Sequence, residues 1–138
     1  MLANTMKKIL IVDDDMTFQT TMTAKLRSLG YEVLCAADGE EGLEKAEHEK
    51  PDLILLDIKM PKLDGISMLK KLQANKNMNE RVPVIITSNL STIDTISEGI
   101  ALGVKGYIIK SEESLDSIAM SVEKALNPPE GKVLQAKE

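Results

Sequence analysis

The chain is expected to fold as an α/β protein, a parallel sheet covered by helices on both faces. Three observations predict it. Five short apolar runs alternate with stretches of helical periodicity. The runs are continuous rather than alternating, as strands buried on both faces require. Each helical stretch has one apolar stripe to lay on the sheet. At 138 residues the chain is about the size of one domain, for which ~150 residues is the usual scale. A closed eight-fold barrel needs more residues, and units of unequal length argue against a solenoid. The crossovers should be right-handed.

The elements follow in order. Lys8 to Val12 reads as a strand ending in Asp13-Asp14-Asp15. Met16 to Leu29 reads as a helix with Phe18, Met22, Leu26 and Leu29 at helical spacing, stopped by Gly30. Tyr31 to Ala36 is the second strand. Asp38-Gly39 turns into a helix over Glu40 to Glu49, with Leu43 and Ala46 inward, broken by Pro51. Leu53 to Leu56 is the third strand, ending in Asp57, and a loop leads to a helix from Asp64 to about Asn75. A polar connection to Arg81 precedes the fourth strand, Pro83 to Ile86, which ends in Thr87-Ser88. Ser91-Thr92-Ile93-Asp94 resembles a capping box with Asp in place of Glu and starts a helix that Gly103 stops. Lys105 to Ile109 is the fifth strand, ending at Lys110. Ser114 caps the last helix, whose stripe is Leu115, Ile118, Ala119, Val122 and Leu126, and Pro128-Pro129 end it. The division expected is an N-terminal extension 1–6, one domain over 7–127 and a polar tail 128–138.

Composition removes several functions. The net charge of -5 argues against a general nucleic-acid or anionic-membrane binder. With two Tyr, one Phe and no Trp, base-stacking platforms are not expected. The single Cys35 excludes an intrachain disulfide and reads as an inert, buried small hydrophobe. The single His48 excludes multi-histidine metal sites and reads as solvated. No targeting segment or membrane-length apolar run is present, so a cytoplasmic protein is expected.

The chemistry collects at the carboxyl ends of the strands, where open parallel sheets bind ligands. Asp13, Asp14 and Asp15 follow the first run, Asp57 the third, Thr87 and Ser88 the fourth, and Lys110 the fifth. Any one of them is ordinary: an Asp after a strand is often a helix cap, and a lone lysine is often a solvated strand end. Their joint placement is not ordinary. Crowded carboxylates with no Cys or His beside them suit a hard, oxygen-ligated cation such as Mg²⁺. A lysine at a neighbouring strand end supplies a donor for an anion. A carboxylate nucleophile, a divalent ion, a hydroxyl and a lysine suffice for acyl-phosphate chemistry. Neither a dinucleotide-binding glycine fingerprint nor a P-loop competes.

Four stretches resemble the receiver domain of bacterial two-component response regulators: Ile9 to Asp15, Leu55 to Gly65, Val84 to Ser88 and Gly103 to Lys110. The second, Leu-Leu-Asp-Ile-Lys-Met-Pro-Lys-Leu-Asp-Gly, is the most specific. The resemblance spans roughly Lys7 to Asn127 and implies a doubly wound, flavodoxin-like sheet of strand order 2-1-3-4-5. It implies Asp57 as phosphoryl acceptor, and Asp14 and Asp57 as direct Mg²⁺ ligands. It implies Asp13 as a helper, often through a water, and the backbone carbonyl of Lys59 as a further ligand. Thr87 would bond the phosphoryl oxygen, Lys110 would pair with it, and Tyr107 would be the switch that fills the space Thr87 leaves. The partners implied are a sensor histidine kinase or histidine phosphotransfer protein and a downstream protein effector, with no direct contact to nucleic acid or membrane. The chain would be a monomer or a phosphorylation-dependent dimer, and would catalyse only its own phosphorylation and dephosphorylation.

There are departures from the family pattern. Lys59 places an ammonium beside the pocket. Asn89 stands at the other position lining access to the phosphoryl group. Ser111 replaces the proline that usually follows the lysine, so a trans Lys110–Ser111 bond is expected, with Lys110 still reaching Asp57. The leading expectation is a stand-alone receiver, with a receiver cut from a larger regulator as the alternative. A phosphohydrolase of the haloacid dehalogenase type would want an acid two residues after the nucleophile, where Lys59 stands. A degenerate receiver used only for binding is disfavoured by Asp14, Asp57, Thr87 and Lys110 all being present.

Overall fold

The structure, a computed structural model, describes residues 6–75, 82–89 and 92–128. Residues 1–5 of the expected extension, the connection 76–81, Leu90, Ser91 and residues 129–138 of the expected tail lie outside the described residues. Five β-then-α units run in order: β1 (Lys8–Val12), α1 (Met16–Ser28), β2 (Glu32–Ala36), α2 (Gly39–Glu49), β3 (Leu53–Leu56), α3 (Gly65–Ala74), β4 (Val84–Ser88), α4 (Ile93–Ala101), β5 (Gly106–Ile109) and α5 (Leu115–Leu126). A 3-10 turn, Lys110–Glu112, stands between β5 and α5. All strand pairings are parallel, and the sheet order is β2-β1-β3-β4-β5.

The alternation of side chains along each strand divides the core into two layers. Ile9, Ile11, Leu53 and Leu55 face Phe18, Met22 and Leu26 of α1 and Ile118, Ala119 and Val122 of α5. Leu10, Val12, Ile54 and Leu56 face Ala46 of α2 and Met68, Leu69 and Leu72 of α3. Ile9, Leu10, Ile11, Leu53, Ile54 and Leu55 are wholly buried. Each such side chain stabilises the fold by about 1.5–3 kcal/mol of apolar burial. A polar residue at any of them would cost that much plus its own desolvation.

Helix ends follow the expected chemistry at most positions. Asp15, Asp38, Asp64 and Ser114 each accept an N–H from the first turn of α1, α2, α3 and α5. Gly30 and Gly103 take φ of +97° and +84°, and the N–H groups of Tyr31 and Val104 reach back to Leu26 and Gly99. That left-handed exit is one only glycine takes freely. The start of α4 differs from expectation. Thr92 is the cap, accepting the Thr95 N–H at 3.2 Å, and Ser91, where the capping box was expected to begin, lies outside the described residues. Leu29 also departs: it sits past the last turn of α1 and is 53% exposed. Cys35 is only half-buried, because β2 is an edge strand, and its sulfur lies 3.3 Å from the Thr23 hydroxyl. His48 is exposed, as expected. Among the described residues no helix is long and apolar enough to cross a membrane.

Candidate functional site

The carboxyl ends of β1 and β3 are pinned to each other and to β2 by backbone bonds. The Asp57 N–H donates to the Val12 carbonyl at 2.9 Å, and the Asp13 N–H donates to the Ala36 carbonyl at 3.0 Å. The buried Gln19 amide of α1 donates to the carbonyls of Asp13 (2.7 Å) and Ala36 (3.0 Å), closing the same corner. Behind Asp57 the backbone of Gly65 comes so close that a Cβ there would lie 2.0 Å from the Asp57 carbonyl oxygen. These contacts leave the acids no choice of position.

Asp13 is wholly buried and Asp57 is 7% exposed, while Asp14 is exposed. Oxygens of the three carboxylates lie within 4.8 Å of one another. Burial, and next the charge of Asp13, push the Asp57 carboxyl up to about 6, against the pull of Lys110 and the Ile58 N–H. Burial likewise raises Asp13, opposed by the Asp15 N–H and by Lys110. Such a set of crowded, all-oxygen ligands fits a small hard dication.

Lys110 enters from β5 with its side chain 11% exposed. Its ammonium donates to Asp13 at 2.9 Å and lies 3.9 Å from both Asp57 and Asp15. It sits 4.7 Å from the centre of the Phe18 ring, a cation–π contact that steadies it. The Lys110–Ser111 bond is trans, no cis bond occurring among the described residues. Lys110 thus reaches Asp57 without the turn a proline would impose, but its short bond is to Asp13.

Thr87 belongs to β4 itself, paired in register with Ile108, so β4 extends past the expected Ile86. Its hydroxyl is buried and has no hydrogen-bond partner among the described residues. A buried hydroxyl in that state costs stability unless a partner arrives. Tyr107 is half-buried and donates its hydroxyl to Thr95 of α4 at 3.2 Å. Lys59 is exposed in the loop after β3. The structure therefore brings Asp13, Asp14, Asp57 and Lys110 together. Gln19 was missed by sequence reasoning, although a polar residue inside the Phe18–Met22–Leu26 stripe was a visible sign.

The family model of the response regulator receiver domain matches residues 9–122. The chain is 45% identical over 105 residues to the alkaline phosphatase synthesis transcriptional regulatory protein PhoP of Bacillus subtilis (strain 168), covering 75% of this chain and 42% of that protein. It is 37% identical over 118 residues to the transcriptional regulatory protein ZraR of Escherichia coli (strain K12), covering 86% of this chain and 26% of that one. It thus spans less than half the length of these curated relatives. Among solved structures it matches a CheY-like response regulator receiver domain protein from Methanospirillum hungatei JF-1 with a TM-score of 0.82 at 29% identity, over 89% of this chain and 95% of that one. It matches the receiver domain of Francisella response regulator 1452 with a TM-score of 0.76 at 35% identity, over 85% and 93%. The sheet order, the acid corner and these matches agree, and the chain belongs to the receiver-domain family of bacterial two-component response regulators.

Proposed function

We propose that Asp57 accepts the phosphoryl group in this receiver, from a sensor histidine kinase or a histidine phosphotransfer protein. The observation that carries the reading is the orphaned Thr87 hydroxyl at a strand end beside an acid corner that already holds an ammonium. A phosphoryl group on Asp57 supplies oxygens that can accept from the Thr87 hydroxyl and draw the Lys110 ammonium from Asp13.

In the transfer, an Asp57 oxygen attacks phosphorus and the bond to the donor's nitrogen or oxygen breaks, its electron pair leaving with the donor. Asp57 must be ionised to attack, and above its value of about 6 it is. Lys110 moves from Asp13 toward the new phosphoryl oxygens, and Thr87 donates to one of them. Asp13, Asp14, Asp57 and the backbone carbonyl of Lys59 would hold Mg²⁺, which when bound offsets the repulsion between acceptor and incoming group. The inward pull on Thr87 frees space for Tyr107 to leave Thr95 and turn in, which biases the α4–β5 face toward a downstream protein effector. On this reading residues 7–127 are the receiver, residues 128–138 are a polar tail, the protein works in the cytoplasm, and it catalyses only its own phosphorylation and dephosphorylation. The chain's coverage of only 42% and 26% of its regulatory relatives supports a second reading, that this receiver serves a larger regulator.

The test is incubation with acetyl phosphate and Mg²⁺ followed by intact-mass measurement. One base-labile phosphoryl adduct is expected on the wild-type chain and none on Asp57→Asn. An adduct that persists on Asp57→Asn would exclude Asp57 as the acceptor.

A further inference from the structure

Asn89 follows Ser88, the last residue of β4, and stands two residues past Thr87. Its side-chain oxygen accepts the backbone N–H of Ser111 at 2.9 Å. The bond runs from the segment leaving β4 to the segment leaving β5.

Ser111 is the middle residue of the 3-10 turn that begins at Lys110, and Ile109 before the turn offers it no side-chain cap. The first N–H groups of a helical turn have no partner inside it. Asn is among the best side chains at satisfying them, because its short amide oxygen reaches an N–H of the first turn. Here the cap comes from a neighbouring strand's exit rather than from the residue before the turn. It is possible because residue 111 is a serine: a proline has no N–H to donate.

The turn is what aims Lys110. The residue before it, Ile109, is set by its register with Ser88. Beyond that point the side chain has four flexible carbons and a strongly hydrated end, yet its ammonium sits 2.9 Å from Asp13 and 3.9 Å from Asp57. Holding it there requires a backbone that does not drift. We propose that Asn89 is a positioning residue for phosphoryl transfer: it caps the Lys110 turn from across the sheet and ties the segment that carries Thr87 to the one that carries Lys110. The proposal rests on the phosphoacceptor reading above and deepens it. The hydroxyl and the ammonium that meet the phosphoryl group then arrive as one unit.

The experiment compares Asn89→Leu, which keeps the branched shape and removes the acceptor, with Asn89→Asp, which keeps an acceptor oxygen. Acetyl phosphate with Mg²⁺ is the probe, and the rate at saturating donor is read beside the half-saturating donor concentration. Amide exchange at Ser111, followed by NMR without donor, reports the bond itself. Asn89→Leu is expected to expose the Ser111 amide to exchange and to slow phosphorylation ~2- to 10-fold, the range one net hydrogen bond spans. The half-saturating concentration is expected to stay unchanged, and Asn89→Asp to restore both readouts. An exposed Ser111 amide with an unchanged rate, or a slowed rate that Asn89→Asp fails to restore, would overturn the proposal. A wild-type chain that takes no phosphoryl group overturns the phosphoacceptor reading and this proposal with it. An adduct formed at equal rates by wild type and Asn89→Leu overturns only this one.

Discussion

The two halves of the pocket are built differently. The half at β1 and β3 is rigid: strand-to-strand backbone bonds, the doubly donating Gln19 and the close backbone of Gly65 fix Asp13 and Asp57. In the half at β4 and β5 the strands are also paired, but beyond them the segment after Lys110 and the helix α4 are tied by side-chain bonds such as Ser111 to Asn89 and Tyr107 to Thr95, and the Thr87 hydroxyl has no partner among the described residues. Its covering helix α4 buries only Gly99, and Ile93 and Ile100 on it are 81% and 64% exposed. The contrast is one of roles. An acid corner that must hold like charges together cannot be soft, whereas a responding element must lie within a few kcal/mol of a second arrangement.

The largest expected effect breaks the rigid half. A Cβ on Gly65 would meet the Asp57 carbonyl oxygen at 2.0 Å and the Ile58 Cα at 2.9 Å, both backbone atoms that cannot step aside. A Cβ on Gly106 of β5 would meet nothing closer than 3.7 Å. Gly65→Ala is expected to destabilise by about 3 kcal/mol, and Gly106→Ala by less than about 1 kcal/mol. Thermal melting of the two variants checks it. Equal costs would dissolve the contrast between the halves.

The charge crowding of the rigid half is tested by pH. Asp57 is held at about 6 against an ordinary 3.8, so between those values the native state binds more proton than the unfolded chain does. Stability therefore falls as pH rises through that window. Asparagine mimics the protonated acid and carries no such loss. Without metal, Asp57→Asn is expected to be more stable than wild type by about 3 kcal/mol at pH 7.5 and by less than about 1 kcal/mol near pH 4. Added Mg²⁺ should narrow the gap at pH 7.5 by stabilising the wild type. Denaturant melts across pH read this out, and a gap that grows toward acid would reverse the assignment.

Much of this was legible in the sequence, for physical reasons. Strands buried on both faces must be continuous apolar runs, so the central strands stood out, and the polar residues following the first, third, fourth and fifth runs marked the pocket. The glycines at 30 and 103 announced helix exits because no other residue takes that backbone freely. Cross-chain hydrogen bonds were not visible. Gln19 reaching two carbonyls, and Asn89 reaching Ser111, depend on where distant segments come to lie. The exposure of Leu29 is a boundary effect: helical periodicity fails one residue past the last turn.

A third outcome concerns the one exposed acid of the corner. Asp14 lies with Asp13 and Asp57 in the oxygen cluster but is not buried. Asp14→Asn is expected to weaken Mg²⁺ binding more than tenfold, about 1.4 kcal/mol, while changing metal-free stability by less than about 0.5 kcal/mol. Titration calorimetry and melting together check it. Unchanged affinity would move the metal site away from Asp14.

The smallest expected effect lies in the responding half. The Tyr107 hydroxyl donates to Thr95 at 3.2 Å across the gap between β5 and α4. Thr95 does not depend on it, because its hydroxyl also lies 3.0 Å from the Thr92 hydroxyl and donates to the Thr92 carbonyl at 3.0 Å. Removing the tyrosine hydroxyl therefore leaves the Thr95 hydroxyl with its bonds to Thr92, and for this pair the expensive part of losing a hydrogen bond is absent. The ring of Tyr107 still packs with Ile58, Ile66 and Ile86, and phenylalanine keeps that packing. Tyr107→Phe is expected to cost about 0.5 kcal/mol, a shift of roughly 1–2 °C in melting temperature. A cost above about 2 kcal/mol would mean that α4 is clamped to β5 as firmly as Asp57 is clamped to β1, and the difference between the two halves would then lie in charge alone.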